Sequence, residues 1–235
     1  MKNLILFCLL LSPCLLNAQN EKWDYPVKPG TEEWKKLESN KAKVDICQIP
    51  KYLLNTIPTS DLMDICLQYP LIWDMYAFNN LNEGLEKLFN DFNGIRELFK
   101  RTDVSKELLT RYVKNLSILE GKKDGSLNGE LIISISTLEV LLSCPALQNN
   151  ISKDVQKNIL KYLTLGFERK YTMPSDFQGF GFRMNFFSRA HVIQKMDNKH
   201  LNKLPQESAN AVMTSVMVDE QSFNAINDLS YQLLR

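Results

Sequence analysis

Few residues of this chain combine a reactive side chain with an unusual setting, and Asp74 is the clearest of them. It is the only formally charged residue between Asp64 and Glu83, and it stands in a strongly apolar stretch. Because removing a carboxylate from water is costly, such a group must find partners or take up a proton. One interpretation is an acid–base or ligand-binding carboxylate in a pocket, as in a hydrolase of unfamiliar type. The alternative, which we favour, is a structural carboxylate that accepts bonds from the backbone amides of a neighbouring helix start.

The two histidines do not form a recognisable catalytic or metal site. His191 and His200 are nine residues apart, so on one continuous helix they would point in opposite directions. The sequence contains no HExxH or CxxC motif, no calcium-binding loop and no GxSxG motif. We therefore predict no catalytic residue other than the candidate Asp74, no metal site and no cofactor.

Three of the five cysteines, Cys47, Cys66 and Cys144, lie beyond a predicted signal peptide. Export permits disulfides, and a bond between Cys47 and Cys66 would staple adjacent helices. The odd number leaves at least one thiol free or paired with another chain. The alternative, which we favour, is that these cysteines are small core residues. A catalytic cysteine would need a polarising partner, and neither histidine is a good candidate for that role.

Aromatic side chains are the main candidates for contact with a ligand. Trp23, Trp34, Trp73 and Tyr76 are large groups that serve both in cores and on contact surfaces. We treat them as candidate ligand-binding residues for a glycan or another small ligand. The sequence does not decide which of them reach the surface.

The elements that must position these groups are helices, most clearly between Pro58 and Asp103. Apolar residues recur there every three to four positions, and Pro58 and Pro70 separate successive helices. The stretch after Pro70 is apolar on nearly all sides, which predicts a helix buried between its neighbours. Asn80 and Glu83 predict a capped helix start, and the dipeptide at 93–94 predicts a left-handed helix stop.

Three segments of this chain carry a resemblance to known proteins. They are YPVKPGTEEW (25–34), YPLIWDMYAFNN (69–80) and FNGIRELFKRTD (92–103). Together they resemble a family of secreted all-helical proteins from Bacteroides-type bacteria. The resemblance implies an all-α fold and export, and it supplies no activity or catalytic residue.

The first 18 residues have the pattern of a secretory signal peptide. Lys2 gives the positive start, residues 4–16 form an apolar core too short for a membrane span, and Ala18 offers a small residue at the cut. Pro13 precedes Cys14, so the small residue that a lipoprotein would need there is missing. We predict a soluble product that begins at Gln19 and lies in the periplasm or outside the cell, without a transmembrane segment.

Turn-forming residues divide the mature chain into predicted segments. An extended segment over 19–30 leads into a first helical subdomain over 31–120, and a glycine-containing exposed loop over 121–129 follows. A second helical subdomain spans 130–235, unless the two form one continuous domain. Residues 130–143 contain several β-branched residues, but their length and apolar spacing favour a helix.

Charge and composition limit the classes of partner that this chain is expected to bind. Without Lys2, 27 basic side chains balance 27 acidic ones, which argues against nucleic acid as a partner. The hydrophobic share of 44% is ordinary for a globular domain. We therefore expect the partner to be another envelope or extracellular protein, or a peptide.

These patterns together predict an all-α protein of eight to ten helices. Successive antiparallel pairs would stack as an irregular solenoid of the HEAT or armadillo shape, or as a multihelical bundle. The expected function is a non-catalytic binding or scaffolding module of the cell envelope. The alternatives are a hydrolase that uses Asp74 and a glycan- or small-ligand-binding protein.

Overall fold

The regular structure of this chain is helical wherever the structure describes it, as its periodicity predicts. The structure, a computed structural model, describes residues 23–197, Leu201, Thr214 and residues 219–235. Within these residues the chain forms thirteen α-helices, one 3₁₀ helix and no strand, so the predicted all-α fold is confirmed. The predicted signal peptide and His200 lie outside the described residues, as does nearly all of a helix that the sequence predicts near 207–218.

The helices fall on either side of an exposed loop at 121–128. Those before the loop are α1 (Glu32–Lys35), α2 (Asn40–Ile46), α3 (Lys51–Leu54), α4 (Thr59–Leu67), the 3₁₀ helix (Ile72–Ala77), α5 (Leu81–Asp91), α6 (Asn93–Leu98) and α7 (Val104–Ile118). Those after it are α8 (Gly129–Ser143), α9 (Pro145–Gln148), α10 (Lys153–Tyr171), α11 (Pro174–Phe177), α12 (Phe180–Met196) and α13 (Glu220–Leu234). Four of them are single turns of four residues, which raises the count above the predicted eight to ten.

Side-chain caps start several helices where the sequence places a Ser, Thr or Asn. Thr31 accepts the backbone N–H of Trp34 at the start of α1, and Ser152 caps α10 in the same way. Asn80 caps α5 as predicted, and Asn128 caps α8. Each cap satisfies a backbone donor that the first helical turn leaves without a partner.

The predicted stop at residues 93–94 is wrong, because Asn93 begins α6. Its side chain accepts the backbone N–H of Ile49 at 3.0 Å and donates to the carbonyl of Ile49 at 2.7 Å. Gly94 does not have a positive φ. It is needed because an added Cβ would lie 2.5 Å from the ring of Phe92. The dipeptide therefore provides a close approach between segments rather than a left-handed turn.

Two helices form the centre of the core. In α8 every residue from Ile135 to Ser143 is buried, and in α12 the run from Met184 to Ile193 is buried. Helix α12 packs against α8, α10 and α13, while α7 joins α8 to α4. The buried cluster is continuous from Tyr25 to Ile226, so one core serves both sides of the loop. Within the described residues, none of these helices has the length and hydropathy that a membrane span requires.

The extended N-terminal segment is tied to this core through its aromatic residues. Tyr25 is buried, and its hydroxyl donates to the carbonyl of Ile65 at 2.7 Å. The ring of Trp23 packs edge-on against Tyr25, with 4.7 Å between the ring centroids. These contacts hold the segment across α4.

Candidate functional site

A concave cleft lies between α4, the 3₁₀ helix, α7 and α8. Its volume is about 530 Å³, a size typical of small-molecule sites in proteins. Leu67, Ile72 and Ile133 contribute apolar surface, and the indole of Trp73 lies beside them. Trp73 is 46% exposed, which is unusual for so large an apolar group. We call this feature the Trp73 cleft.

The 3₁₀ geometry explains why Trp73 is exposed. Side chains three positions apart align in a 3₁₀ helix, so Ile72 and Met75 share one buried face. Trp73 and Tyr76 share a second face, and their rings lie 6.2 Å apart. The sequence predicted an α-helix buried on nearly all sides, and this was wrong because the tighter helix buries a narrower stripe.

Two contacts fix the position of this 3₁₀ helix. The hydroxyl of Tyr76 lies 3.0 Å from the hydroxyl of Thr137 on α8. On the other side, Gly84 of α5 approaches the backbone of Met75 so closely that an added Cβ would collide with the Met75 carbonyl oxygen. The helix that carries Trp73 is therefore held between α5 and α8.

Charged and polar side chains complete the cleft. Arg111 of α7 forms an ion pair with Asp64 of α4, with 2.6 Å between Nη1 and Oδ1. The exposed fractions of these side chains are 29% and 23%, so both are partly shielded from water. Next to them, Asn115 donates to the hydroxyl of Ser134 at 2.9 Å. These pairs connect α4, α7 and α8 and hold their polar groups in fixed directions.

This combination suits binding of a small ligand with both polar and apolar faces. The exposed indole offers a flat apolar surface, and the fixed guanidinium, carboxylate and amide groups offer directional hydrogen bonds. Glu130 adds a second carboxylate on the same cleft. Among the described residues, no cluster of three or more His, Cys, Asp or Glu side chains could hold a metal ion.

The aromatic candidates from the sequence separate into two groups. Trp73 and Tyr76 lie together on the 3₁₀ helix, and Trp73 lines the cleft. Trp23 and Trp34 are half-buried, outside the cleft, and Lys43 lies 5.7 Å above the Trp34 ring. The structure therefore brings only part of the predicted set to one place.

The polar residues of the cleft were not found by sequence reasoning. Asp64 and Arg111 lie on ordinary amphipathic helices, 47 positions apart, and each resembles any other surface charge there. Only the packing of α4 against α7 brings them together. No local sequence signal marks this pair.

Asp74 does not occupy the setting that its sequence predicts. It lies on the 3₁₀ helix and is half-buried rather than enclosed, so the prediction of burial was wrong. The Trp73 cleft is not lined by Asp74. No described residue donates a hydrogen bond to its carboxylate, so the backbone amides expected of a structural carboxylate are also missing there.

The three described cysteines are buried thiols. Cys47, Cys66 and Cys144 are all free in this structure, so the disulfide that the sequence allows between Cys47 and Cys66 is not formed. Burial raises the pKa of Cys47 to about 11 and that of Cys144 to about 12. The described cysteines are therefore protonated at neutral pH and poor nucleophiles.

A second group of charges is completely buried among α7, α8, α10 and α12. Glu139 accepts hydrogen bonds from Tyr112 at 2.7 Å and from Asn185 at 2.8 Å. Its other oxygen lies 2.6 Å from the ammonium of Lys170, which also donates to the carbonyl of Gly181. Both charged side chains are fully enclosed. The carboxylate therefore has a donor on each oxygen.

Arg189 extends this network to α13. Its Nε donates to Asn185 at 2.9 Å, and one terminal nitrogen donates to Asn227 at 2.7 Å. The guanidinium lies 4.4 Å above the ring of Phe167, and its other terminal nitrogen has no partner among the described residues. We call Tyr112, Glu139, Lys170, Asn185 and Arg189 the buried network.

Electrostatics indicate a structural role for the buried network. Burial lowers the pKa of Lys170, and the neighbouring Glu139 opposes that effect. Burial also lowers the pKa of Arg189, to about 10, so its side chain stays charged at neutral pH. The Trp73 cleft contains none of these side chains. The network joins five helices and offers a ligand no entry from that cleft.

A sequence signal for the buried network did exist. Glu139 is the only charged residue between Glu130 and Lys153, and Arg189 is the only one between Arg183 and Lys195. A lone charge in an apolar stretch, the pattern that marks Asp74, therefore also marks Glu139 and Arg189. The pattern failed at Asp74 because a 3₁₀ helix at the surface separates that side chain from the core.

Comparison with protein-family models, with curated proteins and with solved structures found no match for this chain. The resemblance to secreted helical proteins of Bacteroides-type bacteria therefore stays a prediction, and function must be argued from the site itself.

Proposed function

We propose that this chain is an exported, non-catalytic binding module whose ligand occupies the Trp73 cleft. The observation that carries the proposal is an exposed indole beside a fixed Asp64–Arg111 pair in a concave site. A concave cleft of this size favours a small ligand over the flat face of a protein partner.

The proposal that the chain is exported rests on the signal-peptide pattern of residues 1–18. N-terminal sequencing of the product outside the cytoplasm tests whether the signal peptide is cleaved before Gln19.

The ligand class we propose is a short neutral oligosaccharide. A sugar ring has an apolar C–H face that fits against an indole, and hydroxyls at its edge that pair with planar carboxylate, guanidinium and amide groups. The cleft presents Trp73 for the first contact and Asp64, Arg111 and Asn115 for the second. Arg111 neutralises Asp64, and Glu130 leaves the cleft with one net negative charge, so the site disfavours an anionic ligand.

Titration of the full chain with a panel of di- and trisaccharides, followed by calorimetry, tests this proposal. Trp73→Ala is expected to weaken binding at least tenfold, because it removes the exposed ring that the ligand covers. Trp34→Ala is the matched control, since it removes an equal side chain outside the cleft. The bound saccharide should be recovered intact after incubation.

Three results would count against the proposal. If no saccharide gives a heat of binding, the proposed ligand class is wrong. Binding of short peptides instead would indicate that the cleft recognises peptides. If Trp73→Ala binds a saccharide as tightly as the unaltered chain, the ligand does not occupy the Trp73 cleft. Cleavage of the saccharide would show that the chain is a hydrolase rather than a non-catalytic binding module.

A further inference from the structure

A groove lies at the surface of the molecule, between α7 and α10. Its volume is about 410 Å³. Two half-buried residues of α7, Leu109 and Val113, and two of α10, Val155 and Tyr162, form its apolar lining. It shares no lining residue with the Trp73 cleft, because α7 presents a different face to each. We call it the α7–α10 groove, and its role does not depend on the proposed function.

The apolar lining of the groove has the spacing that a helical partner needs. Leu109 and Val113 are four positions apart on α7, and Val155 and Tyr162 are seven positions apart on α10. Each pair therefore lies on one face of its helix. Leu109, Val155 and Tyr162 also pack against the core, so the walls of the groove are held in place. Two such apolar ridges with a furrow between them accept the apolar face of a third helix.

Lysines border this groove, and they have no acidic partner. Lys106 lines it on the side of α7. Lys157 and Lys161 of α10 line an adjoining depression that meets the groove at Asn158. All three lysines are exposed, and none forms an ion pair with a described residue. The ammonium of Lys161 lies 5.8 Å from the centroid of the Tyr162 ring, so its charge lies beside the apolar lining.

We infer that the α7–α10 groove is a docking site for an acidic amphipathic helix of a partner protein. The apolar face of that helix would cover the lining, and its carboxylates would lie opposite Lys106, Lys157 and Lys161. The lining residues of the groove and the depression include these three lysines and one carboxylate, Asp154, so two positive charges remain. Such a surface attracts an acidic partner and disfavours a basic one.

Two other kinds of polyanion fit this surface less well. A single-stranded nucleic acid would need several exposed rings for stacking, and Tyr162 is the only ring among the described lining residues. An anionic membrane would need apolar side chains that protrude, whereas those of the groove are half-buried in the walls of a concavity.

Fluorescence anisotropy of labelled synthetic peptides, titrated with the full chain, tests this inference. The probe is a peptide in which pairs of glutamates alternate with pairs of leucines, which gives an acidic amphipathic helix. A peptide of the same composition in which single residues alternate controls for charge, because its leucines do not share one helix face. A peptide with lysine in place of every glutamate controls for apolar surface. Oligothymidylate and vesicles of phosphatidylglycerol are the probes for the other two polyanions.

The acidic amphipathic peptide should bind about tenfold more tightly than either control peptide. The double variant Lys157→Glu with Lys161→Glu should weaken its binding about tenfold, because both substitutions place like charges opposite the glutamates. Lys122→Glu with Lys123→Glu makes an equal change of charge in the exposed loop and should change the affinity by no more than about twofold.

Leu109→Ala tests the apolar part of the groove and should weaken the binding about fivefold, because it removes part of the lining. Trp73→Ala should leave it unchanged, since Trp73 lies outside the groove. The inference is overturned if the acidic amphipathic peptide binds no more tightly than its non-amphipathic twin. It is also overturned if the double substitution on α10 has no larger effect than the one in the loop. Binding of the DNA or of the vesicles without binding of the peptide would overturn it in favour of that other partner.

Discussion

At the scale of single residues, Glu139 is the side chain that connects the members of the buried network. Among the described residues it is the only negative charge in direct contact with Lys170, and it also orients Tyr112 and Asn185. Two buried cations, Lys170 and Arg189, depend on its field. Removal of one member of a buried ion pair is strongly destabilising because the remaining charge stays desolvated.

Glu139→Gln should therefore lower the free energy of unfolding by about 3–5 kcal/mol. The substitution keeps the size of the side chain but leaves Lys170 buried without its carboxylate partner and removes the strongest opposing charge near the second buried cation, Arg189. Adding Lys170→Met removes one of those cations, so the double variant should be more stable than Glu139→Gln alone. Urea unfolding of both variants and of Lys170→Met gives the coupling energy. A double variant less stable than Glu139→Gln would show that Lys170 stabilises the fold independently of Glu139.

At the scale of elements, the 3₁₀ helix depends on the close approach of α5. Gly84 lies on the buried side of α5, and its missing side chain lets the two backbones touch at Met75. The 3₁₀ helix is short, so its own hydrogen bonds contribute little to its stability and its neighbours must fix its place. Tyr76 and Thr137 provide the second attachment.

Gly84→Ala should destabilise the chain by about 1–3 kcal/mol and weaken ligand binding at the Trp73 cleft. The added methyl group would push the 3₁₀ helix away from α5 and displace Trp73 within the cleft. Thermal unfolding and saccharide calorimetry measure the two effects. Gly129→Ala is the matched control, because an added Cβ there has no neighbour within 4 Å. Unchanged stability in Gly84→Ala would contradict the close approach.

At the scale of the whole molecule, α12 is the element around which the second half is built. It carries Asn185 and Arg189 into the buried network and His191 into a pocket at the C-terminal end of α8. His191 is 7% exposed, and burial lowers its pKa to about 4 from an ordinary value of 6.5. Protonation of this ring would place an extra charge inside the molecule.

The free energy of unfolding should therefore fall as the pH drops from about 6.5 to about 4. In that interval the unfolded chain binds a proton at His191 and the folded chain does not, so the unfolded state is favoured. The contribution of this one group is about 3 kcal/mol, and it is fully present above pH 6.5. Denaturant unfolding across this range measures it.

His191→Gln removes the titrating group and is the comparison that isolates it. The variant should lose stability less steeply than the unaltered chain between pH 6.5 and 4, whereas His200→Gln tests the other histidine. Because carboxylates also titrate near pH 4, the difference between the two curves is the relevant quantity. Parallel curves for His191→Gln and the unaltered chain would show that His191 is not buried in its neutral form.

The sequence predicts the helices of this chain better than it predicts the residues of the candidate site. Thr31, Asn80 and Ser152 start helices where their side chains predict, because a cap depends on residues only three positions away. Trp73 was among the candidates for ligand contact, and the structure places it on the cleft. The partners of Trp73 were not predictable, since Arg111 reaches Asp64 only after α4 and α7 have packed.

The sequence alone determined that this chain is all-helical, because apolar spacing, caps and proline positions act over a few residues and need no knowledge of the fold. Tertiary structure alone decided which lone charges are buried. Glu139 and Asp74 look alike in the sequence, but α8 is enclosed by other helices and the 3₁₀ helix is not. Burial depends on what packs over a residue, and that covering comes from segments far away in the chain.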